Sequence, residues 1–331
     1  MKIILASPNF PQPRGNTVTV QRISDNLQKL GVESVIISTT DDRSAQSLPE
    51  ADLVHGFHAY QFYQFMKKLA APPKRYVVTL TGTDLNLDLF DKDKRNDVLS
   101  SLRGASAVHV FDAQAAGILV EELPEIAEKI SVIAQGNSVF SDSDAPALKE
   151  PGTFLFILPA GIRKVKNVPA AIEMLAELHK LKPEIRLWIA GPVLEEDEGK
   201  TVLGLVQKHS GWVSYLGQLP HSSMGSLYEQ ADVLLNTSLA EGQPAAILEA
   251  MGYGCAVLVS DVQGNNGIVS HLETGLLYKN KSEFLAHARR LMENSELRQN
   301  VGMNAKKRIA EQHSGQNEAE KFLEIYKKIL N

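Results

Sequence analysis

The 331-residue sequence has one cysteine, no apolar run near the ~20 residues that a membrane span needs, and no basic tract. One thiol closes no intrachain disulfide, and Cys255 stands in the apolar run Cys255-Ala256-Val257-Leu258-Val259, so a buried thiol in a reducing compartment is expected. The start, Met1-Lys2-Ile3-Ile4-Leu5-Ala6-Ser7-Pro8, is too short and too soon broken by proline for a signal peptide, which points to the cytoplasm. A net charge of -5 without a basic tract argues against nucleic acid as the main partner. Lys67, Lys68, Lys74 and Arg75 do gather around a helix end; a solvated face is the expected reading, contact with an anionic membrane surface the alternative.

Motifs for several chemistries are missing too. There is no HExxH, no CxxC and no cluster of His and Cys, so neither a structural nor a catalytic metal is expected. Asp91-Lys92-Asp93 and Asp142-Ser143-Asp144 have the DxD spacing that binds manganese in one class of glycosyltransferase, but both lie in polar stretches away from strand ends. A P-loop and a GxSxG elbow are absent, and Pro13-Arg14-Gly15-Asn16 lacks the spacing of a dinucleotide fingerprint, so no Rossmann cofactor is implied.

What is present is a regular alternation. Runs rich in Ile and Val alternate with segments of helical period, the pattern of α/β proteins whose parallel sheets are covered on both faces. Strands are expected at Ile3 to Ala6, Val35 to Ile37, Leu53 to Gly56, Tyr76 to Leu80, Ala107 to Val110 and Ile130 to Ile133. Val20, Ile23, Leu27 and Leu30 mark a helix that Gly31 stops. The polar, proline-bearing stretch 141–152 reads as a linker between residues 1–140 and residues 153–312. Beyond it a second series opens at Phe154 to Pro159, with strands at Ile185 to Ala190, Val213 to Leu216, Val233 to Leu235 and Ala256 to Val259. Residues 313–331 form an amphipathic helix, through Phe322, Ile325 and Ile329, that could pack on either domain. Doubly wound sheets bind ligands outside the carboxyl ends of their strands, so two such domains are expected to face each other across a cleft.

Two constellations carry chemistry. In Glu241-Gly242-Gln243-Pro244-Ala245-Ala246-Ile247-Leu248-Glu249, Pro244 suits a first helical turn, placing Glu241 and Gly242 where free N–H groups receive an anion or hydroxyls. Glu249 then lies inside that helix among apolar neighbours, where a carboxylate needs good donors. Two ribose hydroxyls would supply them; a lysine partner on an exposed face is the alternative. The second constellation, Gly161-Ile162-Arg163-Lys164-Val165-Lys166-Asn167-Val168-Pro169, places cations above a helix start with Asn167 as N-cap, which suits a pyrophosphate. A solvated basic turn would look the same. In the first half His58 follows a strand and could face the cleft or be structural, and Asp84, in Thr81-Gly82-Thr83-Asp84, could orient an acceptor or cap the next segment.

Glu241 and Glu249 with seven residues between, then Ala250-Met251 and Gly254-Cys255-Ala256-Val257, resemble the paired-glutamate signature of family 4 retaining glycosyltransferases. That resemblance implies the GT-B fold, two doubly wound Rossmann-like domains, and a UDP-sugar donor such as UDP-GlcNAc or UDP-glucose. It implies that Glu241 meets the sugar, that Gly242, Gln243 and Pro244 hold its hydroxyls, and that Glu249 binds the ribose. Arg163 and Lys166 grip the diphosphate, Gly191 approaches the nucleotide, Gln218 and Leu219 read the base, and Gly15 and Asn16 stand for the glycine-rich loop near the donor phosphate. His58, Thr81 and Asp84 fall on the acceptor side, in a domain whose acceptor the resemblance leaves unnamed. Gln243-Pro244 replaces the family's usual Phe-Gly, and Thr81 replaces a common histidine.

Within the family, Gly15-Asn16-Thr17-Val18-Thr19, Leu80-Thr81-Gly82-Thr83-Asp84-Leu85 and Arg163-Lys164-Val165-Lys166 are similar to two subgroups, the glycosyltransferase 1 domain-containing proteins and the selenosugar synthases, with Thr274-Gly275-Leu276-Leu277-Tyr278 nearer the first. A selenosugar or thiosugar synthase, a non-hydrolysing sugar-nucleotide epimerase and a non-catalytic sugar-nucleotide sensor are the alternatives. Turnover of donor with no acceptor present would mark the epimerase, and binding without consumption the sensor.

Overall fold

A computed structural model describes the chain apart from residues 13–14, 42–46, 139–144 and 243. Gln243, the Asp142-Ser143-Asp144 motif, Pro13 and Arg14 therefore lie outside the described residues. The chain divides into two compact units, Met1–Gly136 with Gln312–Asn331, and Asn137–Glu311.

In the first unit six parallel strands, β1 (Lys2–Ser7), β2 (Glu33–Ser38), β3 (Leu53–Phe57), β4 (Tyr76–Thr79), β5 (Ala107–Val110) and β6 (Ile130–Val132), pair in the order β2-β1-β3-β4-β5-β6. Four helices, α1 (Gly15–Lys29), α2 (Ala59–Lys68), α3 (Arg95–Gly104) and α4 (Ala113–Glu122), lie between them. Because successive side chains of a strand point to opposite faces, the unbroken apolar run of β1 serves two cores. Ile4 and Ala6 pack with Phe62, Phe65, Leu102 and Leu119 of α2, α3 and α4. Ile3 and Leu5 pack with Val20, Ile23 and Leu27 of α1. Gly31, at φ 77°, ends α1 in the left-handed conformation that lets Val32 N–H reach back to the Leu27 carbonyl.

The C-terminal helix Gly315–Leu330 completes this second core with Ala319, Phe322 and Tyr326, so of the two domains it could have covered it packs on the first. Two polar contacts hold it there. Arg22 of α1 clasps Glu318 through two bonds of 2.9 Å, and both side chains are almost wholly buried. Tyr326 Oη lies 2.6 Å from His55 Nδ1, and a buried chain continues from His55 Nε2 to Thr79 Oγ1 (2.6 Å), to His109 Nδ1 (2.9 Å), and from His109 Nε2 to the Ile133 carbonyl (3.0 Å). A carbonyl only accepts, so His109 donates from Nε2, Thr79 donates to His109, His55 donates to Thr79 and Tyr326 donates to His55. Burial lowers the pKa of His109 to about 4 and, with His109 nearby, that of His55 well below the usual range, so both rings are neutral.

In the second unit β7 (Phe154–Pro159), β8 (Ile185–Ala190), β9 (Val213–Gly217), β10 (Val233–Asn236), β11 (Ala256–Ser260) and β12 (Leu276–Tyr278) pair in parallel in the order β12-β11-β10-β7-β8-β9. The helices are α5 (Val168–His179), α6 (Glu196–Lys208), α7 (Met224–Gln230), α8 (Ala245–Tyr253), α9 (Gln263–Asn266), α10 (Lys281–Glu293) and α11 (Ser295–Gln312). Phe156 and Leu158 of β7 meet Ile172 and Leu175 of α5 with Phe284 of α10, while Leu155 and Ile157 meet Tyr228, Leu248 and Met251. Cys255 is buried, and burial pushes its thiol up to about 12. The strand order turns between β7 and β10, and that is the point at which an open α/β sheet binds its ligand.

The division falls at Gly136, earlier than the polar stretch suggested. A Cβ on Gly136 would lie 2.6 Å from Gly315 Cα, so glycine is needed where the C-terminal helix begins. Residues expected as linker are instead tied into the second unit: Lys149 N–H donates to Gln230 Oε1, Gln230 donates to the Ala147 carbonyl, and Glu150 pairs with Arg186. Lack of periodicity marks irregular backbone, and here that backbone is pinned by side chains. Among the described residues no helix is long and apolar enough to cross a membrane. In the basic cluster, Lys67 pairs with Asp97 and Arg75 donates to the Ile329 carbonyl.

Candidate functional site

The loops that leave β7 and β10 are laced together. After β7, residues Lys164–Lys166 make a single tight turn, and Asn167 follows at φ 49°, ψ 44°. Asn167 occupies the position before α5, but its side chain makes no capping bond, contrary to the sequence expectation. An asparagine cap ordinarily reaches forward from extended backbone to accept from the first-turn amides; a left-handed residue reverses the chain instead, which asparagine tolerates. From the other loop Thr237 Oγ1 lies 3.0 Å from the carbonyls of both Lys166 and Asn167, and Leu239 N–H donates to the Val165 carbonyl at 2.8 Å.

This lacing brings Lys166 Nζ to 2.5 Å from Glu241 Oε1. The same oxygen accepts from Ser238 Oγ at 2.6 Å and Asn236 Nδ2 at 3.0 Å. Burial alone would raise the pKa of Glu241, but the Lys166 charge and these three bonds outweigh it and hold the carboxyl below its usual range, as an anion. Arg163 stands at the head of the same turn, and its buried Nε has no hydrogen-bond partner among the described residues. A buried donor without an acceptor is costly, and an anionic oxygen would satisfy it.

Glu249 lies inside α8, as the sequence suggested, and is buried. Its partners are not lysines: Tyr228 Oη donates to Oε2 and His221 Nε2 lies against Oε1, both at 2.8 Å. Tyr228 is fully buried, and burial with the adjacent carboxylate drives its pKa well above 10, so it remains a donor. The His221 side chain is 39% exposed, whereas that of Glu249 is 5% exposed.

Pro244 takes the position before α8, and the chain at Gly242 is overlaid by α9, where a Cβ on Gly264 would lie 1.9 Å from the Gly242 carbonyl. Gly191, at φ 146°, ends β8 so close to β7 that a Cβ would meet the Ala160 carbonyl at 2.1 Å. Gln218 and Leu219 follow β9, the first exposed and the second half-buried. Among the described residues no group of three or more His, Cys, Asp or Glu side chains converges to hold a metal ion.

In the first unit Gly15 and Asn16 open α1 at the surface. Of the three acceptor-side candidates, Asp84 is buried and His58 and Thr81 are partly buried. Asp84 is fully buried: Oδ1 accepts from the Thr81 and Gly82 amides and Oδ2 from the Ala59 amide, so it is a backbone staple and cannot orient an acceptor. Thr81 enters that staple through its amide. His58, at φ 70°, caps α2 by accepting from Gln61 N–H at Nδ1, which leaves the proton on Nε2, 3.8 Å from Asp88.

The sequence reading gave no role to Asn236, Thr237, Ser238, His221, Tyr228 or Asn265. A signal existed for the first three, a polar triplet directly after Val233-Leu234-Leu235 at the carboxyl end of a buried strand. None existed for His221 and Tyr228, which lie 28 and 21 residues from Glu249.

Residues 140–308 match the profile of the family described as glycosyl transferases group 1. The chain is similar to glycosyltransferase 1 domain-containing protein 1 of Xenopus tropicalis, 28% identical over 320 residues, which is 93% of this chain and 92% of that protein. Among solved structures it resembles sucrose-phosphate synthase from Thermosynechococcus elongatus, with TM-score 0.80, 17% identity and coverage of 99% of this chain and 98% of that one. It also resembles Anabaena HepE in complex with UDP and glucose, with TM-score 0.77, 16% identity and coverage of 99% and 100%. These neighbours fix the architecture as GT-B.

Proposed function

We propose a donor and a route for a chain that belongs to the glycosyl transferases of group 1 and is therefore a glycosyltransferase: it takes a sugar from UDP, as UDP-glucose or UDP-GlcNAc, and transfers it with retention of configuration in the cytoplasm. The observation that carries this reading is the Lys166–Glu241 pair at the strand-order switch, with the unsatisfied Arg163 Nε on the same turn. Lys166 offers three protons and uses one on Glu241, so it can donate to a departing phosphate while it still fixes the carboxylate. Arg163 adds a second cation to the same leaving group.

Glu241, ionised and held by three donors, serves as acceptor for a sugar hydroxyl and not as nucleophile. Retention then follows a front-face route. The bond from the anomeric carbon to the phosphate oxygen breaks, the acceptor oxygen bonds on the same face, and its proton passes to the departing phosphate. Charge builds on the diphosphate, where fixed cations are most effective. That Anabaena HepE was captured with UDP and glucose supports uracil as the base. UDP and its sugars should raise the melting temperature with EDTA present, because Arg163 and Lys166 stand in for a metal at the diphosphate. An absolute need for manganese would sink this reading.

The two glutamates should separate in calorimetry. Glu249→Gln should weaken UDP binding by about 1.5–3 kcal/mol, since the ribose loses a charged acceptor. Glu241→Gln should leave UDP binding unchanged or slightly tighter, because Lys166 no longer shares its charge with a carboxylate, while the rate with a UDP-sugar falls. Equal weakening in both would show that the division of labour is wrong.

A further inference from the structure

Resting on that reading of the site, we infer that Asn236 and Asn265 are positioning residues for the sugar step, a two-amide relay that aims Glu241. The relay begins at a group that cannot be reversed. The Ser260 carbonyl, at the end of β11, accepts from Asn265 Nδ2 at 2.9 Å. The other Nδ2 proton of Asn265 then faces Asn236 Oδ1 at 3.1 Å, and Ser238 N–H points at the same oxygen, also at 3.1 Å. Two donors on Oδ1 fix the Asn236 amide so that Nδ2 faces Glu241 Oε1. A reversed amide would set an oxygen against the carboxylate. Ends of two adjacent strands thus decide that Glu241 meets a donor.

The placement has a further requirement. Asn265 is fully buried in α9, and it reaches Asn236 because Gly264 lets that short helix sit against the Gly242 carbonyl. Asn265 also carries a buried Oδ1 with no partner among the described residues, a cost that an apolar residue there would avoid. Packing alone would not retain it. The bonds of the relay end on Glu241, so it bears on the sugar-holding carboxylate.

The test uses the whole protein and two readouts. Carbon-13 NMR of the Glu241 carboxyl in wild type, Asn236→Leu and Asn265→Leu should show the titration midpoint moving up in both variants, since each removes or misaims a donor. UDP release from UDP-glucose or UDP-GlcNAc should fall about ten-fold, the loss of one hydrogen bond to an ionised group, while calorimetric affinity for UDP stays within about two-fold. Asn265→Ser, which keeps a donor, should recover part of the rate. An unmoved Glu241 midpoint in Asn265→Leu overturns the relay, as does a loss of UDP affinity that matches the loss of rate. Failure of wild type to bind any UDP-sugar would instead overturn the donor reading, and the NMR titration would still decide the relay.

Discussion

Replacing Lys166 by alanine is expected to lower turnover of the sugar nucleotide by roughly ten- to a thousand-fold, the range seen when one electrostatic contact to developing charge is lost. Lys166 is one end of a buried ion pair, so the loss has a second face. With Lys166 gone, Glu241 keeps Ser238 and Asn236 as donors but loses the cation paired with its largely buried charge. A destabilisation of about 1–3 kcal/mol should accompany the kinetic defect. The double variant Lys166→Met with Glu241→Gln should recover most of that stability and none of the activity, which separates folding from chemistry. Arg163→Ala should show the kinetic defect with little change in melting temperature, because its Nε has no partner to leave behind. Full activity in either single variant would mean that the leaving group is held elsewhere.

Arg22→Ala should cost about 3–5 kcal/mol, the penalty for stranding one member of a buried ion pair. Glu318 is wholly buried and accepts two parallel bonds from the guanidinium, and among the described residues no other cation pairs with it. The lesson of such pairs is that removing both charges is far milder, and Arg22→Met with Glu318→Leu should lie within about 2 kcal/mol of wild type. Chemical denaturation followed by fluorescence of the whole chain would check both values. A single variant as stable as wild type would show that the clasp contributes only to packing.

Much of the architecture could be read from apolar runs. Ala107 to Val110, Phe154 to Pro159 and Ile185 to Ala190 are strands from end to end because both faces of a parallel sheet are buried, and only His109 and Arg186 interrupt their apolar runs. Leu276–Tyr278 escaped notice, since three residues carry no period. The site was legible as two separate segments. That they converge follows from strand order, and strand order is a long-range property: Lys166 and Glu241 are 75 residues apart. Spacing drew attention to Asp84, and its bonds to the Thr81 and Gly82 amides are local, yet its bond to the Ala59 amide depends on how β4 and α2 approach one another, which no local pattern encodes. The fate of the last helix was equally hidden, because an amphipathic stripe states that a face must be covered and not by what.

That helix also sets an order of events. The first unit is written in two pieces with the whole second unit between them, so a ribosome releases Ile3, Leu5, Val20 and Phe57 long before Phe322 and Tyr326 exist to cover them. Domains generally fold as units during synthesis, and the later-made unit is the one whose elements are contiguous. The second unit can close while the first waits with one sheet face covered by α1 but not by the last helix, and with His55, Arg22 and Gly136 without their partners from that helix. Closure of a loop of this length costs entropy that grows only slowly with the number of residues, so the delay is a matter of time and exposure more than of final stability.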